Sequence, residues 1–406
     1  MASPIVIIGA GQAAASFVSR HTALGSTQPL LLIGEESHPP YQRPPLSKKY
    51  LLGELERDRL FIRPLDWYAE QGVETRFNTR VTEIRPAARQ IAVAAGDIID
   101  YDRLIICTGS SARNLPAEIG GGLDAVFTLR SIADIDRLSP EFRTGRRLLI
   151  VGGGYIGLEA AAAGRQLGLE VTVIEMAERI MQRVAARETS NYFRHLHSSH
   201  GVEIMEGAEM IRLVEAGGRA CGAELTSGEI IDADLVLIGI GGSPNIELAQ
   251  AANLECDTGI RVDGACRSSD PYIYAAGDCT SFERNGQQIR LESVQNAADQ
   301  GDLVARVIAG EDVSYTALPW FWSDQYDCKL QIAGLNIGYD QCVVRPGNKD
   351  QTQSIWYYSG DRLLAVDAIN DPKAYVFGRK MIESGMNPRK ESVASPDSDL
   401  RAIAKG

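Results

Sequence analysis

Residues 5–14 read Ile-Val-Ile-Ile-Gly-Ala-Gly-Gln-Ala-Ala, and residues 148–157 repeat the pattern as Leu-Leu-Ile-Val-Gly-Gly-Gly-Tyr-Ile-Gly. Each is a short apolar run broken by glycines and followed by residues suited to a helix. A strand buried on both faces reads as such a continuous apolar run. The glycines mark the place where the chain turns tightly and lays its backbone against a pyrophosphate. Gly9 and Gly152 permit the turn, Gly11 and Gly154 let amides approach the phosphates, and Ala14 and Gly157 let the helix pack close to its strand; Ala13, Tyr155 and Ile156 belong to the same turns. The helix N-terminus that follows offers partial positive charge to the ligand. Second strands at 30–33 and 170–174 lead to Glu35 and Glu175, the latter 18 residues past Gly157. A carboxylate at that point accepts hydrogen bonds from ribose hydroxyls and repels a 2′-phosphate. The second motif therefore favours NADH over NADPH, although Arg179 and Arg183 follow closely.

Two strand–turn–helix units about 145 residues apart call for two dinucleotides in one chain. The simplest assignment is FAD in one and a nicotinamide in the other, with the two rings stacked where the nucleotide domains meet. The protein then supplies positioning and tuning, and the cofactor the chemistry. Further apolar runs end at Thr108-Gly109, at the glycine-rich stretch 239–244 containing Gly241, and at Gly277-Asp278, and a helix is expected near 293–309. The stretch 38–45 holds four prolines and suits neither a regular helix nor an interior strand. From about Leu318 the texture changes. Alternation at 329–333, 341–345, 354–358 and 363–369 predicts an antiparallel sheet, with a late helix near 373–383. The last twenty or so residues are polar, contain Pro388 and Pro396, and are expected to fray.

Lysine plus arginine number 41 against 53 aspartates and glutamates, a net charge of −12. That argues against general nucleic-acid binding but leaves room for a local basic patch toward an acidic protein. The seven cysteines, at 107, 221, 256, 266, 279, 328 and 342, form no C-x-x-C pair and no metal-ligand spacing, so reduced thiols are expected. No metal site is expected either. The histidines at 195, 197 and 200 lie on a charged helical stretch and read as solvated surface. The chain runs from Met1 straight into a strand, with neither a basic segment nor an apolar run of about 18 residues, so no secretory signal or membrane span is expected and the cytoplasm is the default.

Several segments, in order along nearly the whole chain, carry a resemblance: Tyr41-Gln-Arg43-Pro-Pro-Leu-Ser-Lys48, Thr108-Gly109, the 152–159 run, Ala276-Gly277-Asp278, Glu292-Ser-Val294-Gln-Asn296-Ala, and Pro319-Trp-Phe-Trp-Ser-Asp324-Gln. The chain resembles the FAD-dependent NADH:ferredoxin reductases of bacterial oxygenase systems, the group of putidaredoxin reductase and the biphenyl dioxygenase reductases. The resemblance implies a glutathione-reductase-like α/β fold with two Rossmann-type domains. Residues 1–112 and 243–318 would hold FAD, 113–242 would hold NADH, and 319–406 would form an α+β domain covering the flavin. It further implies that Arg43 and Lys48 contact FAD, Lys48 near the redox-active edge, and that Val81 and Arg130 touch it. Asp278 would bind the ribityl and pyrophosphate region, and Val294 would lie by the isoalloxazine. Glu159 would sit near the nicotinamide and pair with Lys48, and Trp322 would pack by the flavin near the docking surface of a [2Fe-2S] ferredoxin.

Disulfide reductases of this fold carry C-x-x-x-x-C beside the flavin, whereas this chain has no cysteine before Cys107. A thiol relay then lacks its nucleophile, and electrons must leave the flavin singly to an external centre; the resemblance implies that this centre is a [2Fe-2S] ferredoxin feeding a haem-thiolate monooxygenase or a ring-hydroxylating dioxygenase. A rubredoxin reductase, an NADH oxidase or peroxidase, and a protein like apoptosis-inducing factor remain as alternatives; the last would need a long C-terminal insertion that is not visible here.

Overall fold

A computed structural model describes residues 3–405, and the chain divides into two compact units: residues 1–43, 55–111 and 242–317, and residues 44–54, 112–241 and 318–406.

In the first unit a five-stranded parallel sheet runs in the order Ile273–Ala275, Arg103–Ile106, Ile5–Ile8, Leu30–Ile33 and Val73–Arg76. The strand Ile5–Ile8 is buried along its length, which is why its sequence is apolar without alternation. Helix Gln12–Ala23 packs against helix Val294–Ile308. The contact is close because one side carries glycine: a Cβ on Gly301 would fall 2.2 Å from the carbonyl oxygen of Ala13. Phe17 is fully buried in the same core, worth roughly 1.5–3 kcal/mol relative to exposure.

In the second unit another five-stranded parallel sheet runs Glu203–Glu206, Glu170–Glu175, Arg147–Val151, Leu235–Ile238 and Val126–Phe127. In both parallel sheets the strand order reverses beside the strand that precedes the glycine turn. The carboxyl ends of Ile5–Ile8 and Arg103–Ile106 in one, and of Arg147–Val151 and Leu235–Ile238 in the other, flank the crevice where open α/β sheets bind ligands.

The second unit also holds the expected antiparallel sheet, ordered Trp320–Gln325, Cys328–Gly334, Arg362–Ile369, Gln353–Ser359 and Gln341–Pro346, followed by helix Pro372–Glu383. Strand Gln353–Ser359 does not alternate between buried and exposed residues, because both faces are covered. Ile355 and Tyr357 share a core with Leu158, Phe193 and Leu196 of the nucleotide fold, while Trp356 and Tyr358 pack with Met381, Val393 and Leu400. The polar tail consequently does not fray. It forms helices Lys390–Ala394 and Leu400–Ile403, with Val393 and Leu400 buried. A second cause is Arg345, whose guanidinium donates to the carbonyls of Val393 at 3.0 Å, Pro396 at 3.1 Å and Ser398 at 2.7 Å. One fixed cation satisfying several carbonyls orders a segment whose composition alone would leave it loose. No helix among the described residues is long and apolar enough to cross a membrane.

Candidate functional sites in the two units

In the first unit the glycine turn is built as its sequence requires. Gly9 has φ +102°, and a Cβ there would lie 2.2 Å from the carbonyl oxygen of Cys107. Above Gly11 the space is open, with no atom within 4 Å of a Cβ placed there. Helix Gln12–Ala23 has no side-chain cap and no acid in its first turn, so its N-terminal amides face that opening unclaimed by the side chains of its own turn. Helix Val294–Ile308 differs, since Ser293 caps it through the amide of Asn296 at 3.0 Å. An uncapped amide ring beside open space fits the pyrophosphate of a dinucleotide. Ala14 is fully buried against the sheet, and Ala13 packs against Gly277, a Cβ on which would stand 3.4 Å from that of Ala13.

The other expected residues of this unit have partners of their own. Glu35 is exposed and pairs with Arg80 at 3.4 Å. Arg43 donates to Glu36 at 2.7 Å and to the Tyr41 hydroxyl at 2.8 Å, and that hydroxyl donates in turn to Glu36 at 2.6 Å. Ser110 donates to the Asp278 carboxylate at 3.0 Å. Val81 is buried in strand Val81–Arg85, and Val294 opens its helix. Two residues with no assigned role in the sequence reading turn out to hold the site. Asn245 clamps Thr108-Gly109: its amide nitrogen donates to the Thr108 carbonyl at 2.9 Å, its backbone N–H donates to the Gly109 carbonyl at 3.0 Å, and its own carbonyl accepts from the Thr108 hydroxyl at 2.7 Å. Gln300 accepts from the Gly277 N–H at 2.7 Å and from the Thr280 hydroxyl at 3.0 Å, pinning the turn that presents Asp278.

In the second unit the turn is built the same way, with a further close approach at Gly157. Gly152 has φ +108°, and a Cβ there would lie 2.5 Å from the Gly239 carbonyl oxygen; one on Gly157 would lie 2.2 Å from the Gly152 carbonyl oxygen. Space above Gly154 is again open, and helix Tyr155–Gln166 has neither side-chain cap nor acid in its first turn. Glu175 accepts the Gly153 N–H at 2.8 Å on one oxygen and the Ala177 N–H at 2.8 Å on the other. Its carboxylate is thereby aimed at the turn, with lone pairs remaining for ribose hydroxyls. Arg179 is turned inward, donating to Ser190 at 2.5 Å, so of the two neighbouring cations Arg183, beside Gly241, is the one left near the turn. Ile156 is exposed. The Tyr155 hydroxyl is buried without a hydrogen-bond partner, and burial, then the charges of Asp367 and Glu159, raise its pKa. Arg130 precedes the capping box of Ser131 and Asp134, its N–H donating to Asp134 at 3.0 Å.

Lys48 and Glu159 meet as expected, Nζ to Oε1 at 2.9 Å, with Glu159 only 7% exposed. The sequence reading missed what else meets them. Ser47 donates to Oε2 of Glu159 at 2.5 Å and Ser323 to Oε1 at 2.6 Å. Behind Ser323 lies Gln325, 3.1 Å away, and behind Gln325 lies His197, 2.7 Å away. This corrects the reading of His197 as solvated surface: it is fully buried, while His195 on the same helix and His200 just past its end are exposed. Helix Arg187–Ser199 is amphipathic, and position 197 falls with Phe193 and Ser190 on the buried stripe. Burial pushes the imidazole down to about 4, against the smaller opposing effect of its Gln325 hydrogen bond. Trp320 and Trp322 are half-buried with ring centroids 5.4 Å apart. All seven cysteines are free, and burial raises the Cys107 thiol far above its ordinary range.

Residues 3–301 match the family described as Pyridine nucleotide-disulphide oxidoreductase, and residues 320–404 match the Reductase C-terminal family. The chain is 39% identical to rhodocoxin reductase of Rhodococcus erythropolis over 99% of its own length and 94% of that protein. It is 38% identical to the anthranilate 1,2-dioxygenase system ferredoxin–NAD(+) reductase component of Burkholderia cepacia over 99% of each. Among solved structures it resembles putidaredoxin reductase in its covalent complex with putidaredoxin, with TM-score 0.96 at 34% identity, covering 99% of this chain and 98% of the other.

Proposed function

This chain belongs to the pyridine nucleotide-disulphide oxidoreductase family, and from that premise we propose that it is an FAD-dependent NADH:ferredoxin oxidoreductase serving an oxygenase system. Held at the first glycine turn, FAD would supply the capacity to accept a hydride from NADH and to give up electrons one at a time to a [2Fe-2S] ferredoxin. The observation that carries the proposal is two open, uncapped glycine turns in one chain with no cysteine before Cys107. Two dinucleotides find cradles, and the disulfide chemistry in the family's name finds no thiol pair.

The residues divide the work accordingly. Residues 1–112 with 243–318 serve FAD, 113–242 serve NADH, and 319–406 form an α+β domain that covers the flavin. Gly9, Gly11 and the first-turn amides bind one pyrophosphate, and Glu35 its ribose. Arg43, Val81, Thr108, Gly109, Arg130, Gly277, Asp278 and Val294 bind and orient the rest of the flavin nucleotide. Gly152, Gly154, Tyr155, Ile156, Gly157 and Gly241 line the nicotinamide nucleotide, and Glu175 selects NADH through its ribose. Lys48 supplies positive charge to the flavin edge, Glu159 pairs with that ammonium and fixes its position, and Trp322 shields the ring on the side where electrons leave. Seven free thiols are consistent with a reducing compartment, and we place the protein in the cytoplasm.

The test is reduction of purified [2Fe-2S] ferredoxins and a rubredoxin by the holoenzyme, with NADH and NADPH in parallel. Fast reduction of a [2Fe-2S] ferredoxin with NADH is expected. Turnover only with rubredoxin, or only with oxygen, would replace the ferredoxin assignment.

A further inference from the structure

The chain of buried polar side chains behind Glu159 has a direction. An ionised carboxylate only accepts, so Ser323 gives its single hydroxyl proton to Oε1 of Glu159 at 2.6 Å. Ser323 must then be the acceptor toward Gln325, whose amide nitrogen donates to it at 3.1 Å. The remaining end of that amide is a carbonyl oxygen, Oε1, and it faces Nε2 of His197 at 2.7 Å. His197 is therefore fixed as the tautomer with a proton on Nε2. Its Nδ1 is left as an acceptor, 3.4 Å from the Tyr326 hydroxyl. Ser323, Gln325 and His197 are each at most 1% exposed, so no water is needed to complete the sequence.

Every donor in this series points toward one carboxylate. A network that served packing alone need not end on a charge, and apolar side chains would fill the same space without the desolvation cost. Here two separate elements, helix Arg187–Ser199 and strand Trp320–Gln325, converge on an acceptor carried by a third, helix Tyr155–Gln166.

We propose that His197, Gln325 and Ser323 form a one-way hydrogen-bond relay that holds the Glu159 carboxylate, and through it the Lys48 ammonium, in place for hydride transfer. The three act through Glu159 and are positioning residues. The proposal rests on the NADH-to-flavin assignment above. The titratable groups facing the relay are Lys48 and Tyr155 at the Glu159 end, and His200, Tyr326 and, beyond Tyr326, Arg165 at the His197 end. Burial keeps His197 neutral through the physiological range, which the relay requires, since imidazolium could not leave Nδ1 an acceptor.

Two measurements on the holoenzyme test this. The first is long-range ¹H–¹⁵N NMR of the five histidines in oxidised protein. The relay requires His197 as the neutral Nε2–H tautomer down to at least about pH 5.5, above the depressed imidazole value. The Nδ1–H tautomer, or a freely titrating ring, would overturn it. The second is the pH profile of flavin reduction by NADH in stopped flow. Ser323→Ala removes one donor from Glu159. Gln325→Glu reverses the relay, because a carboxylate at 325 draws the Ser323 proton toward itself and protonates His197. Both variants should move the acidic limb upward by about one pH unit, about tenfold in proton affinity, and Ser323→Thr should restore it. In Gln325→Glu the NMR should show His197 protonated on both nitrogens. Limbs unchanged in both variants would overturn the relay, and movement in Ser323→Ala alone would exclude His197 and Gln325 from it. If either variant loses its flavin, the tautomer in the unsubstituted protein still decides. Wild-type holoenzyme that NADH does not reduce would sink the functional assignment instead, a result separable from the tautomer.

Discussion

Oε1 of Glu159 receives both the Lys48 ammonium, at 2.9 Å, and the Ser323 hydroxyl, at 2.6 Å, so a single carboxylate oxygen ties the Arg-Pro-Pro-Leu-Ser-Lys segment to the antiparallel sheet. Glu159→Gln would keep the size and shape and remove the charge. Taking one partner from a buried pair costs about 3–5 kcal/mol because it strands the other. Lys48 is 17% exposed and can draw on solvent, so the lower end, about 3 kcal/mol, is expected. Urea unfolding of the holoenzyme measures it, and flavin reduction by NADH should slow in parallel. An unchanged midpoint would mean that Lys48 finds its counter-charge elsewhere.

Glu175 accepts two backbone amides at the second glycine turn, and its free lone pairs are assigned to the ribose of NADH. Glu175→Ala should raise KM for NADH about tenfold, the cost of about 1.4 kcal/mol of ground-state binding, with little change in kcat. The preference over NADPH should narrow, since the repelling charge is gone. Steady-state kinetics with both nucleotides measures this. A KM for NADH that stays put would remove the ribose assignment.

Asp367 is buried in the second unit, where it accepts hydrogen bonds from Tyr357 and from Thr189, the latter at 2.7 Å. Desolvation raises its carboxyl to about 6, with those hydrogen bonds opposing the rise. Its folded value thus lies above the ordinary 3.8. Between those two values the native state holds the proton that the unfolded chain has released, so stability falls as pH rises through this window. The contribution is fully present below the ordinary value and lost above about 6, and amounts to something on the order of 3 kcal/mol. Urea unfolding of wild type and Asp367→Asn from about pH 4 to about pH 7 should show a falling component that the variant lacks. Identical slopes would place the proton elsewhere.

Gly9→Ala should leave a colourless protein. The position combines φ +102° with a carbonyl oxygen 2.2 Å from the added Cβ. The left-handed conformation alone costs an L-residue about 1–2 kcal/mol, and the clash must move the strand end that carries Cys107. Flavin absorbance per chain after purification is the measurement. Gly11→Ala serves as the comparison, since its Cβ meets no protein atom within 4 Å: a folded chain that fails to bind FAD would show that the open space there belongs to the ligand. Full flavin content in Gly9→Ala would contradict the packing described.

Local chemistry accounts for what could be read along the chain. Strands 5–8 and 148–151 announce themselves because burial on both faces leaves only apolar residues acceptable. Gly9 and Gly152 are required by backbone conformation, which no neighbour can alter. Motifs of that kind carry their structural reason within a dozen residues. The tail at 390–404 is the opposite case. Its order comes from Arg345 and from a sheet face completed elsewhere, and its own composition says nothing of either.

The amino-acid sequence by itself determined the two nucleotide folds, their glycine turns, the acids at the ends of the second strands and the missing thiol pair, because each depends on short-range geometry or on the presence of a residue type. Tertiary structure alone decided which polar groups converge on Glu159. Ser47, His197 and the Ser323/Gln325 pair come from three separate segments that no spacing rule connects. Whether a histidine such as His197 sits in water or in a dry network is set by what packs over its helix, and that covering surface is built from residues more than a hundred positions away.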